Sequence, residues 1–150
     1  MLYDYILWIC VAVYAIHIAE EKVLDWKKWF DPKTIQFKLG SSDFFVMQGI
    51  KLIIGFCCAM VSWRNASFSL LFPALILLSA IFSHIIPAIK MRKFNPGLLT
   101  SIFLLLPVGL WAYHGASRDM ILTPMAIVLS ILFGALVKWS PRVFLKCTKK

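Results

Sequence analysis

Acidic side chains are scarce in this chain: its 150 residues include only seven Asp and Glu, and residues of either charge make up 15%. A soluble domain usually gives about a quarter of its residues to charge, so a surface that faces water over most of its area is excluded. Cysteine is sparse too. Of the four, Cys10, Cys57 and Cys58 fall in apolar runs and Cys147 near the end, with no CxxC pair, which speaks against an oxidised framework and against a structural zinc site. No basic segment precedes the first apolar run, where Asp4 stands instead. A secretory signal peptide has the opposite order, so the first helix is expected to be retained. Internal repeats and low-complexity tracts are missing as well, whereas many secondary transporters are built from repeats.

What the chain has is apolar bulk, with 61% hydrophobic residues and a mean hydropathy of +0.81. A single core of this size cannot hide so much, so the expected solvent is lipid. Apolar runs near 2–19, 44–63, 68–89, 97–113 and 120–138 are each long enough to cross roughly 30 Å of hydrocarbon at about 1.5 Å per residue. The expectation is one all-α domain over residues 1–150, a polytopic membrane bundle of five transmembrane helices.

A formal charge of +9 would suit nucleic acid, but its placement points elsewhere. Threading five spans alternately puts Lys22, Lys27, Lys28, Lys33 and Lys38 on one side, together with Lys90, Arg92, Lys93, Lys138, Arg142, Lys146, Lys149 and Lys150. The other side receives Arg64 and Arg118, and Lys51 lies within a span. The positive-inside rule then predicts a cell-membrane protein with its amino terminus outside and its carboxyl terminus cytoplasmic. Anionic lipid is an expected partner of the basic face, and nucleic acid is not.

The segment after the first span divides in two. Val23, Trp26 and Phe30 recur at i, i+3 and i+7 between lysines, the pattern of a short interfacial helix near 22–30. It should end near Asp31, because the residue before Pro32 is pushed out of helical geometry. A loop follows, with Ser41, Ser42 or Asp43 available to cap the second span. His114, in "HGASRD", reads as a wet loop residue between the last two spans.

Polar residues interrupt the spans at one level. His17, Glu20 and Glu21 close the first helix, Gln48 and Lys51 lie in the second, His84 sits between Pro73 and Pro87 in the third, and Thr100 opens the fourth. The topology puts all of them in the cytoplasmic leaflet. Positions three and four apart share a helix face, so Glu20 and Glu21 straddle the direction of His17, with Tyr14 and Cys10 continuing the stripe. Side chains lean toward a helix's amino terminus, so the histidines and glutamates lean into the membrane, whereas Lys51 can snorkel out. Plainer readings stand beside these. Glu21 can be simply interfacial, Gln48 can be packing glue between helices, Tyr14 can pack or line a site, and His84 can bond a carbonyl, Ser83 or Gln48.

Three motifs, "HIAEE" ending the first helix, "SH" before a short basic turn, and "FNPGLLT" leading into the next helix, resemble the HXXEE-domain family of bacterial membrane proteins over nearly the whole chain. The resemblance implies a signature of His17, Glu20 and Glu21, with His84 as second histidine and Pro96, Gly97 and Thr100 as the turn motif. It implies no reaction. Where an asparagine is expected in the middle helices, this chain has Gln48 and Ala80.

Two imidazoles and two carboxylates support two chemistries. His17, Glu20, Glu21 and His84 are candidate ligands of a divalent transition metal, as in a 2-His-1-carboxylate site. The same residues are candidate catalytic groups without metal, His17 and Glu20 forming an acid–base pair with His84 as partner, and Tyr14, Gln48 and Thr100 are candidate supports. Either chemistry suits a lipid or isoprenoid substrate. A small proton-coupled carrier, in which a homo-oligomer would supply the missing size, or a purely structural cluster fixing helix docking, are the alternatives.

Overall fold

A computed structural model describes residues 2–24 and 41–147 of the chain. Among these residues the structure is helical, with no strand. Helix α1 spans Ile6–Val23 and α2 spans Ser41–Val61. A tight turn over Ser62–Asn65 and a single helical turn over Ala66–Ser69 follow. Helices α3, Leu71–Met91, and α4, Leu98–Arg118, come next, and α5 spans Pro124–Cys147. Three helical stretches, Phe44–Ser69, Leu71–Met91 and Leu98–Arg118, are long and apolar enough to cross a membrane, and Pro124–Ser140 is a shorter apolar one. Helix α1 ends its apolar course with Glu20, Glu21 and Lys22.

Several expected boundaries shift. The first helix carries both glutamates, as expected, and runs on to Val23, so Lys22 and Val23 belong to α1 rather than to a separate interfacial helix. The rest of the expected interfacial helix, and the loop after it up to residue 40, lie outside the described residues. His114 is an exposed residue inside α4 rather than a loop residue. The helix persists there because it is docked: a Cβ on Gly115 would stand 2.9 Å from Tyr3 Cβ and 3.0 Å from Ile6 Cδ1, so the start of α1 packs directly on this turn.

The core forms where α1 lies among its neighbours. Ile6, Leu7, Cys10, Tyr14 and His17 are buried at helical spacing along α1. They meet Cys58 and Ala59 of α2, Phe72, Leu75 and Ile76 of α3, and Leu105, Ala112 and Ala116 of α4. The outward faces carry Ile53, Phe56, Met60, Phe103, Leu110 and Leu136 in the open, an apolar exterior that suits lipid better than water. Helices α3 and α5 approach closely, since a Cβ on Gly134 would lie 3.1 Å from Ala74 Cβ and from the Leu75 nitrogen. Small residues serve this purpose where no hydrophobic effect drives helices together.

Two helices are locally widened at the same level. In α3 the stretch Ala80–Ile85, and in α4 the stretch Ser101–Leu105, have π geometry, and the two face each other. Each is followed within two residues by a proline, Pro87 or Pro107. Proline removes the N–H that would bond the carbonyl four residues earlier, which for Pro87 is that of Ser83. The turn between α3 and α4 reverses through left-handed residues at both ends, Arg92 at φ 48° and Gly97 at φ 85°. Its last three residues, Asn95, Pro96 and Gly97, are buried.

Candidate functional site

His17 is buried on the inner stripe of α1, and His84 is buried in the widened turn of α3. Their rings stand perpendicular with centroids 4.7 Å apart. Gly97 closes in on both: a Cβ there would be 2.7 Å from Cε1 of each ring and 3.0 Å from His84 Nδ1. Only glycine gives both the positive φ and this approach.

The partners of each ring determine its tautomer. His84 Nδ1 lies 3.0 Å from Asn95 Oδ1 and 3.0 Å from the Pro96 carbonyl. Both are acceptors, so Nδ1 carries the hydrogen and Nε2 the lone pair. Asn95 is itself oriented, because its amide nitrogen donates to the Ser83 carbonyl at 3.3 Å and the His84 carbonyl at 3.1 Å. On the other ring, His17 Nδ1 lies 2.7 Å from Thr100 Oγ1. The Thr100 hydroxyl donates to Glu20 Oε2 at 2.5 Å, so it accepts from His17 Nδ1–H. Glu20 Oε2 also accepts the Thr100 backbone N–H at 2.9 Å. A carboxylate of α1 thus caps the first turn of α4, where unpaired N–H groups and the helix dipole favour negative charge.

Both Nε2 atoms consequently turn toward Glu21. Its Oε1 is 3.8 Å from His17 Nε2 and 3.5 Å from His84 Nε2. Its Oε2 accepts from Gln48 Nε2 at 2.6 Å. Gln48 Oε1 in turn accepts from the buried Tyr14 hydroxyl at 2.6 Å and from Lys51 Nζ at 3.1 Å. Lys138 of α5 donates to Ser83 Oγ at 2.6 Å, beside His84 in sequence.

All four residues singled out from sequence, His17, Glu20, Glu21 and His84, meet at this level, and Tyr14, Gln48 and Thr100 each bond one of them or its partner. Within the group the roles differ from expectation. Glu21, rather than Glu20, faces the imidazoles, and Glu20 reaches His17 through Thr100. Both carboxylates turn inward, although neighbours on a helix point about 100° apart, because α2 receives one and α4 the other. Lys51 turns to Gln48 instead of away from the site. Ala80 is buried and apolar. Neither middle helix supplies an asparagine, and the side chain that orients His84 is Asn95, in the turn joining them, together with the Pro96 carbonyl. A signal existed: Pro87 disturbs the helical bonding three residues after His84, and the Asn-Pro of the adjoining turn supplies a side-chain amide able to bond the carbonyls there.

The model of the family described as "Protein of unknown function with HXXEE motif" matches residues 8–112, from α1 through most of α4. No curated protein and no solved structure matches the chain.

Proposed function

We propose a membrane-embedded enzyme as the function of this chain, which belongs to the HXXEE family. In this reading all five helices cross the bilayer with the amino terminus outside, and His17, Glu21 and His84 form a reaction centre in the cytoplasmic leaflet. Its substrate is a lipid or isoprenoid that reaches the centre from the bilayer.

One observation carries the reading. The outward-facing atoms of the cluster are bonded tightly, at 2.5–3.0 Å through Thr100, Asn95, Pro96 and Gln48. The inward-facing atoms, two Nε2 and one carboxylate oxygen, stand 3.5 and 3.8 Å apart, beyond hydrogen-bond length. A cluster that only docked helices gains most from direct hydrogen bonds between its polar groups. Here the surrounding residues hold three reactive atoms facing one another, each fixed from behind. Ionisable groups at membrane depth are expensive and commonly functional.

In such a centre both imidazoles present an Nε2 lone pair, their tautomers set from behind, and Glu21 presents a carboxylate oxygen to the same space. That arrangement suits isomerisation, hydration or hydrolysis. The test is untargeted mass spectrometry of lipids from membranes holding wild-type chain or Glu21→Gln at equal levels. A lipid class converted only by the wild type supports the proposal, and identical lipid profiles refute it.

A further inference from the structure

We infer that His17 Nε2, His84 Nε2 and Glu21 Oε1 are three ligands of one divalent first-row transition metal ion. The inference rests on the reading of this cluster as the working centre, and it names that centre's cofactor.

Four features of the geometry converge on an ion. First, the three ligand atoms lie within 4.8 Å of one another, with Glu21 Oε1 3.5 and 3.8 Å from the two nitrogens. Metal bonds of about 2.0–2.2 Å set ligand atoms roughly 3.0–3.5 Å apart at tetrahedral or octahedral angles. The two gaps from Glu21 Oε1, at 3.5 and 3.8 Å, are longer than hydrogen bonds and near the span of a shared ion. Second, both imidazoles present the same atom in the same state, a lone pair on Nε2, because both Nδ1–H groups are engaged. A protein that used one histidine as acid and the other as base would have no need to lock both alike.

Third, the backing matches what a metal ligand requires. Metal-binding histidines donate their other N–H to a carboxylate, carbonyl or water. His84 Nδ1 has the Pro96 carbonyl and Asn95 Oδ1, and His17 Nδ1 has Thr100 Oγ1, itself bonded to the Glu20 carboxylate. The free oxygen of Glu21 is held by Gln48. Fourth, the donor set suits zinc, iron or manganese. Two imidazoles and one carboxylate give three protein ligands, leaving positions for water or substrate, and Glu20 adds a second negative charge behind His17.

The test uses full-length protein purified in mild detergent without chelator. Elemental analysis should find about one transition-metal ion per chain and identify it. After chelator treatment, titration with Co2+ alone should give saturable visible d–d absorption. Glu21→Gln, nearly identical in shape, should weaken Co2+ binding at least about 10-fold. Asn95→Ala, which leaves every ligand in place, should weaken it about 10- to 100-fold. Thermal unfolding and elution profiles identify variants that fold. No saturable Co2+ spectrum in the wild type overturns the inference, and so does a folded Glu21→Gln that binds as well as wild type. The two proposals fail separately. Metal bound with lipids unchanged leaves the site without the enzyme, and lipid turnover by a metal-free wild type leaves the enzyme without the ion.

Discussion

Substituting Gly97 with alanine should damage the site more than any other single methyl group added to this chain. The new Cβ would lie 2.7 Å from Cε1 of both His17 and His84. Carbon atoms pack comfortably at about 3.5–4.0 Å, so both rings would have to retreat by roughly an ångström in opposite directions. Neither can do so freely, since Thr100 holds one ring and Asn95 with Pro96 holds the other. Forcing a methyl group into packed surroundings costs about 1–3 kcal/mol. The left-handed backbone at φ 85° adds about 1–2 kcal/mol for a residue with a Cβ. The expected destabilisation of Gly97→Ala is therefore about 2–5 kcal/mol. Gly49→Ala is the matched control: nothing lies within 4 Å of a Cβ there, and alanine in a helix interior is favoured over glycine by roughly 0.5–1 kcal/mol. Thermal unfolding of the two variants in detergent should move in opposite directions from wild type. A Gly97→Ala protein as stable as wild type, with Co2+ binding retained, would show that the turn does not press on the imidazoles and would refute the geometry.

Three further outcomes are expected. Thr100→Val removes the hydroxyl that links Glu20 to His17 while keeping the side-chain shape, and should lower lipid turnover and Co2+ affinity about 10-fold or more; Thr100→Ser should restore both, and a Val variant equal to wild type would remove the link from the mechanism. Reporter fusions at residues 66 and 116 should report outside and those at 35, 93 and 150 cytoplasm, and any reversal would break the five-span topology. Desolvation pushes the Asp119 carboxyl upward, but the backbone N–H groups of Leu2 and Tyr3, which donate to it at 3.1 Å each, hold it below the usual aspartate range. A group with a lowered folded value contributes stability above its unfolded value and loses it as pH falls through the folded one. The detergent-solubilised protein should thus lose thermal stability below about pH 4, and Asp119→Asn should flatten that part of the curve.

The helical architecture was legible because apolar runs of this length have few alternatives. The level of the site was legible because polar residues that interrupt long apolar runs are conspicuous. Which carboxylate faces the histidines was not, because positions three and four from His17 are equivalent on an isolated helix. The choice is made by α2 and α4, which offer Gln48 to one side chain and Thr100 to the other. Asn95 was hidden by its company: Asn-Pro-Gly reads as turn punctuation, and only the fold shows that the turn is buried beneath two imidazoles. The widened turns were equally illegible. Pro87 and Pro107 announce a disturbance of the helix, but its form depends on the two helices yielding against each other at one level. His114 failed for a related reason, since "HGAS" resembles a loop until α1 docks on Gly115.

The family motif can now be read as a division of labour. A histidine followed by two adjacent glutamates places one carboxylate at i+4, where it shares the face of the ring, and the other at i+3, rotated by about 100° from its neighbour. One glutamate alone would have to choose between meeting the reactive Nε2 and supporting the opposite nitrogen. With two, Glu21 stands before the ring and Glu20 stands behind it, reaching Nδ1 through Thr100 and capping α4 as it does so. The pair therefore also fixes the position of α4 relative to α1, and with it the turn that carries Asn95 and Gly97 against His84. A Glu20→Gln chain keeps the shape but weakens both the cap and the support behind His17. Glu21→Gln keeps that scaffold and alters only the atom facing the imidazoles. If the two glutamates were interchangeable interfacial charges, the two variants would behave alike in stability and in Co2+ binding. The geometry requires that Glu20→Gln be the less stable protein and Glu21→Gln the weaker ligand.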